Sequence, residues 1–238
     1  MITIGDIIVL SILAAGVVWS VARKKLTVAA AVTGALLGWV LYWGAGYAGL
    51  AMMTVFFIAG TAATSWKKAE KYPLKPAEGL HQTRNMGQVL ANAGVAGLAA
   101  GAILILPGGS MVLRIMIAAA FSAASSDTLA SELGMVYGRR FYNILSLRPD
   151  NKGRDGVVSV EGFLFGIGGS VLIAFVYAIG YGAFAPGPLA VIIVAGTIGN
   201  IMDSVLGATV ERAGLFSNDL VNFFNTLTAA LIAGLLCS

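Results

Sequence analysis

Asp127 and Glu132 stand in Ser126-Asp127-Thr128-Leu129-Ala130-Ser131-Glu132-Leu133-Gly134, and a second apolar stretch carries Asn200, Asp203 and Ser204. Ionised side chains are costly in lipid, so acids inside apolar segments mark functional sites. Aspartate and asparagine oxygens suit Mg2+, which is commonly held by one or two carboxylates together with substrate phosphates. Arg84 precedes another polar series, Asn85, Gln88 and Asn92, and Asp219, Asn222, Asn225 and Thr226 form the last one. Lysine and arginine bind phosphate oxygens. The set points to phosphoryl or nucleotidyl chemistry on a lipid headgroup, where positioning and charge neutralisation matter more than covalent groups.

The elements that must carry these residues are apolar helices. The chain has 238 residues, 58% hydrophobic and 11% charged, with mean hydropathy +0.87. Soluble domains carry about 25% charged residues. The apolar runs are long enough to span a bilayer as helices, and the alternation of a barrel is absent. The expectation is an all-α polytopic membrane protein, a single integral domain over residues 1–238. About eight spans are predicted, at 4–22, 26–44, 48–66, 85–106, 111–132 and beyond, 159–182, 189–211 and 219–236. Gly34-x-x-x-Gly38 and Gly162-x-x-x-Gly166 allow close helix approach. Trp39, Tyr42, Trp43 and Tyr47 form an interface belt.

Basic residues assign the sides. Arg23, Lys24 and Lys25, the 67–84 and 138–158 loops and Arg212 hold all but one of the 15 Lys and Arg residues, and Arg114 is the exception. The positive-inside rule places these loops in the cytoplasm and both termini outside. The first apolar run has no basic region ahead of it and Arg23-Lys24-Lys25 behind it, the pattern of a retained span rather than a cleaved signal. The net charge of +4 has its source in these loops, so no nucleic-acid partner is inferred. The protein is placed as a multi-pass component of the cell membrane whose site faces the cytoplasm.

With this topology the polar residues of the spans fall at one depth, near the cytoplasmic ends. Asn85, Gln88 and Asn92 share a helix face, as do Asn200, Asp203 and Ser204, and Asp219, Asn222 and Thr226. Asp127 shares its face with Ser131, whereas Glu132 lies roughly 140° around an ideal helix. The two acids serve one ion only if the helix breaks, or if Glu132 works on the rim. A lone cysteine, Cys237, and a lone histidine, His81, speak against thiolate or imidazole metal sites and for oxygen ligands. There is no Walker A sequence and no kinase glycine-rich loop. Gly166-x-Gly168-Gly169 lies inside a span and reads as packing.

Four strings carry a family resemblance: Asn85-x-x-Gln88-Val-Leu-Ala-Asn92-Ala-Gly94, Ser126-Asp127-Thr-x-Ala-Ser131-Glu132-Leu-Gly134, Gly156-Val-Val-Ser159 and Asp203-Ser204-x-Leu-Gly207-Ala-Thr. Together they resemble the membrane family that includes plant and cyanobacterial phytyl-phosphate kinases, over nearly the whole chain. The resemblance implies CTP-dependent conversion of an isoprenoid monophosphate to its diphosphate, with Mg2+ as cofactor. It also implies distant kinship with dolichol kinases and CDP-lipid synthases. Asp127, Asp203 and Glu132 would hold metal and nucleotide phosphates. Arg84, Asn85, Gln88, Asn92, Ser131, Asn200, Ser204, Asn222 and Asn225 would bind nucleotide and prenyl phosphate. Glu161 departs from the pattern, at a position expected to be apolar.

Two rival readings differ in what they require. A transporter or flippase places its site near the midplane at a repeat interface, whereas no ionisable side chain falls near the middle of any predicted span. The recurrence of Asp127-Thr-Leu-Ala in Asp203-Ser-Val-Leu is similar local chemistry. A cytidylyltransferase forming a CDP-lipid uses nearly the same groups and is separated by its product, pyrophosphate instead of CDP. Assembly into an oligomer stays open.

Overall fold

The computed structural model describes residues 3–71, 83–106, 108 and 110–237. Lys75 and His81 lie outside the described residues. Seven helices are long and apolar enough to cross a membrane. They are α1 (Ile4–Ala22), α2 (Val28–Ser65), α4 (Met86–Ile105), α5 (Ser110–Tyr137), α6 (Val160–Tyr181), α7 (Pro186–Leu206) and α8 (Asn218–Cys237), with a short α3 (Lys68–Lys71) between them. The protein is thus an all-α polytopic membrane protein. Its only described strands, β1 (Tyr142–Asn143) and β2 (Val157–Val158), pair antiparallel in the α5–α6 loop.

α2 explains why eight runs were expected and seven helices are seen. A straight helix of its 38 residues would reach about 57 Å, nearly twice the hydrocarbon thickness. Instead Gly46 adopts φ +70 and ψ −164, a region essentially restricted to glycine. The helix folds back there into two arms. Lys25 Nζ consequently donates to Ser65 Oγ at 3.0 Å, joining the two ends of the hairpin. By geometry the chain makes eight apolar passes.

α5 is the central helix and packs against α2, α4, α6, α7 and α8. Residues 117–126 of α5 are all buried, with Ala118, Ala119, Ala120, Ala123 and Ala124 giving neighbours room. Small residues let helix backbones touch where lipid supplies no hydrophobic drive. A Cβ on Gly134 of α5 would lie 2.9 Å from the Gly162 Cα of α6. Large apolar side chains such as Leu98, Ile105 and Leu235 are exposed, as lipid-facing groups are.

Cross-contacts sort the loops into two ends. At one end Leu26 bridges Arg84, Trp66 Nε1 donates to Tyr137 Oη at 2.9 Å, and Arg212 reaches Asp150 at 3.0 Å. At the other end Tyr181 Oη donates to the Ala45 carbonyl at 2.7 Å. Arg114 lies there too, with its guanidinium 5.1 Å from the Tyr181 ring centre. The basic loops therefore share one end of the bundle.

Candidate functional site

A cleft of about 1140 Å³ opens at the basic-loop end. Its polar wall is built by α5 and α7. α5 runs unbroken through Asp127 and Glu132, so the two acids point different ways. Asp127 lies within hydrogen-bonding reach of Asp203 on α7. Asp203 Oδ1 is buried and has no hydrogen-bond partner among the described residues. Two carboxyls this close repel unless a proton or cation lies between them. Just past Asp203 the helix widens into a π turn, Gly207–Glu211, a distortion frequent at functional sites.

Glu132 also lines the cleft, roughly 140° further round α5. Its Oε2 accepts a hydrogen bond from Lys71 Nζ at 2.6 Å, and Lys71, only 2% exposed, also donates to the Ala63 and Thr64 carbonyls at 2.9 and 3.1 Å. Arg84 is its other cationic neighbour. Burial lowers the Arg84 pKa below its ordinary value, and the Glu132 charge partly restores it. The Arg84 backbone is fixed by Thr27 N donating to its carbonyl and by its own N–H donating to Lys25, each at 3.0 Å. Its guanidinium nestles against Gly60, where a Cβ would come within 3.2 Å of it.

The amides divide into two groups. Gln88, Asn92, Asn200 and Asn222 line the cleft with Ser131 and Ser204. Asn85 does not. It caps α4, accepting from Gln88 N at 3.0 Å while Gln88 Oε1 accepts from Asn85 N at 3.1 Å. Asn225 is fully buried outside the cleft, behind Gly199 of α7. Asp219 also faces away, toward Gly87 in the first turn of α4. Glu161, the departure in sequence, accepts from the Arg139 amide at 3.4 Å.

The loop between α5 and α6 roofs the cleft with Phe141, Tyr142, Asp155 and Gly156. Arg212 straps it down through Asp150 Oδ2 and, at 2.6 Å, the Asp155 carbonyl. The Asn151 amide first and Arg212 second hold the Asp150 carboxyl below its usual range. Asp155 and Glu211 add negative charge near the Asp127–Asp203 pair. Sequence reasoning passed over Lys71, Asp155 and Glu211 as site residues. Lys71 and Asp155 were visible only as loop residues and Glu211 only as the end of a span, and no spacing rule links position 71 to position 132.

Among the described residues no group of three or more His, Cys, Asp or Glu side chains is placed to hold a metal. The Asp127–Asp203 pair, with its orphaned oxygen, nevertheless suits a cation that completes its shell with phosphate and water, as Mg2+ does. The opposite side of the cleft is apolar and runs between α1, both arms of α2 and α4.

Residues 11–230 match the family described as Integral membrane protein DUF92. An uncharacterized membrane protein of Synechocystis sp. is 33% identical over 200 residues, covering 83% of this chain and 77% of that protein. Protein VTE6, chloroplastic, of Arabidopsis thaliana is 30% identical over 204 residues, 83% of this chain and 61% of that protein. An uncharacterized membrane protein of Methanocaldococcus jannaschii is 32% identical over 202 residues, 84% of this chain and 81% of that protein. No solved structure matches.

Proposed function

The chain belongs to the DUF92 family of integral membrane proteins, and from that premise we propose that it is a CTP-dependent kinase converting a prenyl monophosphate to its diphosphate. The observation that carries this reading is the composition of one cleft. A half-buried carboxylate pair, a half-buried arginine and an apolar wing line the same space. A transferred phosphoryl group, an acceptor phosphate and a lipid tail need those three surfaces. The resemblance of the Asp127, Asn92 and Asp203 strings to phytyl-phosphate kinases supports the same reaction.

Asp127 and Asp203 would hold Mg2+, which supplies charge neutralisation at the nucleotide phosphates when bound. Arg84 would hold the acceptor phosphate. An oxygen of that phosphate attacks the γ-phosphorus of CTP, the bond from γ-phosphorus to the bridging oxygen breaks, and CDP leaves with the electron pair. The acceptor oxygen is already anionic, so no general base is needed. Gln88, Asn92, Ser131, Asn200, Ser204 and Asn222 supply hydrogen bonds around the phosphates. Glu132, held by Lys71, would anchor Arg84 and stand beside the metal's ligands rather than among them. Asn85 and Asn225 would act one layer back, through the α4 cap and the α7–α8 contact. The clustering of basic residues at this end supports a cytoplasmic site.

The test is CTP turnover by purified protein with geranylgeranyl or phytyl monophosphate and Mg2+. CDP and prenyl diphosphate are expected, and both disappear in Asp127→Asn. Pyrophosphate release would move the assignment to CDP-lipid synthesis. No turnover with any nucleoside triphosphate, in folded protein, would overturn the kinase reading.

A further inference from the structure

We infer that the apolar wing of the cleft seats the tail of a phosphate-headed lipid entering sideways from the bilayer, and that Gly16 and Gly34 set its bore. The inference rests on the kinase reading for its choice of prenyl phosphate, and on this structure for the site itself.

The wing has a charged head end and an apolar body. Arg84 lies at its head against Gly60 on the second arm of α2. From Gly60 that arm descends through Phe57 and Met53 to Leu50, all facing the cleft except Gly60 itself. The ten steps from Gly60 to Leu50 span about 15 Å of helix, half the hydrocarbon thickness. A lipid whose phosphate meets Arg84 would therefore carry its tail through one leaflet. The Arg84 guanidinium gives the head end a cation that can meet a phosphate, and the apolar walls below suit hydrocarbon.

α1 forms the outer wall. It packs on α2 and buries only Asp6, Val9 and Ser20 of its 19 residues. Leu13, Gly16 and Val17 recur at the spacing of one helix face and turn that face to the cleft. A wall whose main packing is on one neighbour is the place where a tail can pass from lipid into the wing.

The two glycines face open space. Nothing lies within 4 Å of a Cβ built on Gly16, and Gly34 would meet only Val89 Cγ1, at 3.9 Å. Both positions line the cleft. Both are helical, where leucine is better tolerated than glycine. A side chain started at either position therefore enters space that the protein's own atoms leave open around the Cβ.

The experiment measures binding by native mass spectrometry of the full chain, apart from turnover. The probes are geranylgeranyl monophosphate, isopentenyl monophosphate and geranylgeraniol. Wild type should prefer the long-tailed phosphate to the short one by about tenfold or more, and Gly34→Leu should lower that preference by about tenfold. Gly16→Leu, on the peripheral helix, should act in the same direction and serves if Gly34→Leu fails to fold. Arg84→Gln should bring the long-tailed phosphate down to the level of the alcohol. Unchanged preference in folded Gly34→Leu and Gly16→Leu would overturn the proposal. So would equal displacement by phosphatidylglycerol, which would make the wing a seat for bulk lipid. Tail-dependent binding without phosphoryl transfer would remove the kinase reading and leave the tail site standing. Transfer that ignores both leucines would do the reverse.

Discussion

Lys71 and Glu132 meet at 2.6 Å across 61 positions of chain, with the lysine only 2% exposed. The lysine also donates to the Ala63 and Thr64 carbonyls at the end of α2, so one side chain ties the α2–α4 connection to the central helix. Glu132 in turn lies between Lys71 and Arg84. The acid is the shared counter-charge of two cations, one behind the cleft and one facing it.

That arrangement makes the two partners unequal. Breaking a buried ion pair from one side costs about 3–5 kcal/mol, because the remaining charge stays buried. Glu132→Gln leaves two cations without their acid, whereas Lys71→Met leaves Glu132 beside Arg84. Glu132→Gln is therefore expected to be the more destabilising, and Lys71→Met/Glu132→Gln to lie closer to Lys71→Met than to the sum. Thermal unfolding in detergent, with an additivity test on the double mutant, measures this. Equal and additive losses would contradict the shared role.

The strap on the roof loop should respond to acid. Asp150 has a folded-state pKa below its ordinary value of 3.8. A depressed carboxyl pKa contributes stability that is fully present above the unfolded value and is lost as pH falls through the folded one. Protection of amides 143–156 from hydrogen exchange, corrected for intrinsic rate, is expected to hold from neutrality down to about pH 4 and then decline. Arg212→Gln should loosen the same amides at neutral pH. Protection that rises on acidification would contradict the assignment.

Helices and their ends were legible in the sequence because lipid imposes long apolar runs and charge confines itself to loops. The one-depth alignment of Asp127, Asn200, Asp203, Gln88, Asn92 and Asn222 followed from counting turns. How Asp127 and Glu132 divide one cleft was not legible, since it depended on α5 remaining unbroken and on the cation that engages Glu132. Nor was the Lys71 contact, which is set by a connection folding back over the bundle. Asn85 and Asn225 show another limit. A polar residue on the right turn can be spent on a helix cap or buried behind a neighbour, and periodicity does not distinguish these from a lining position.

Gly46 is expected to resist replacement through its backbone conformation rather than through crowding. Its φ of +70 with ψ −164 is a conformation that costs other residues about 1–3 kcal/mol. No neighbouring atom lies within 4 Å of a Cβ placed there, so the loss would come from the backbone alone. Gly46→Ala should destabilise by that amount, while Gly16→Ala, helical and equally uncrowded, should be neutral or stabilising. Equal effects of the two alanines would show that the bend is not held by the Gly46 dihedrals.

Asp127 and Asp203 should reveal their role by moving stability and activity in opposite directions. Two carboxyls in contact, one with an orphaned oxygen, form a strained arrangement when no cation neutralises them. Asp203→Asn keeps the shape and removes the repulsion, so its melting temperature in metal-free buffer should equal or exceed that of wild type. A bound ligand stabilises in proportion to the logarithm of its concentration over Kd. Mg2+ should therefore raise the melting temperature of wild type and not of Asp203→Asn or Asp127→Asn. Turnover should fall by about 10²–10³-fold in each variant, the usual loss when a group stabilising transferred charge is removed. An acid whose work is only to join α5 to α7 would give the opposite pattern, a lower melting temperature with the Mg2+ response retained, and that result would overturn the metal assignment.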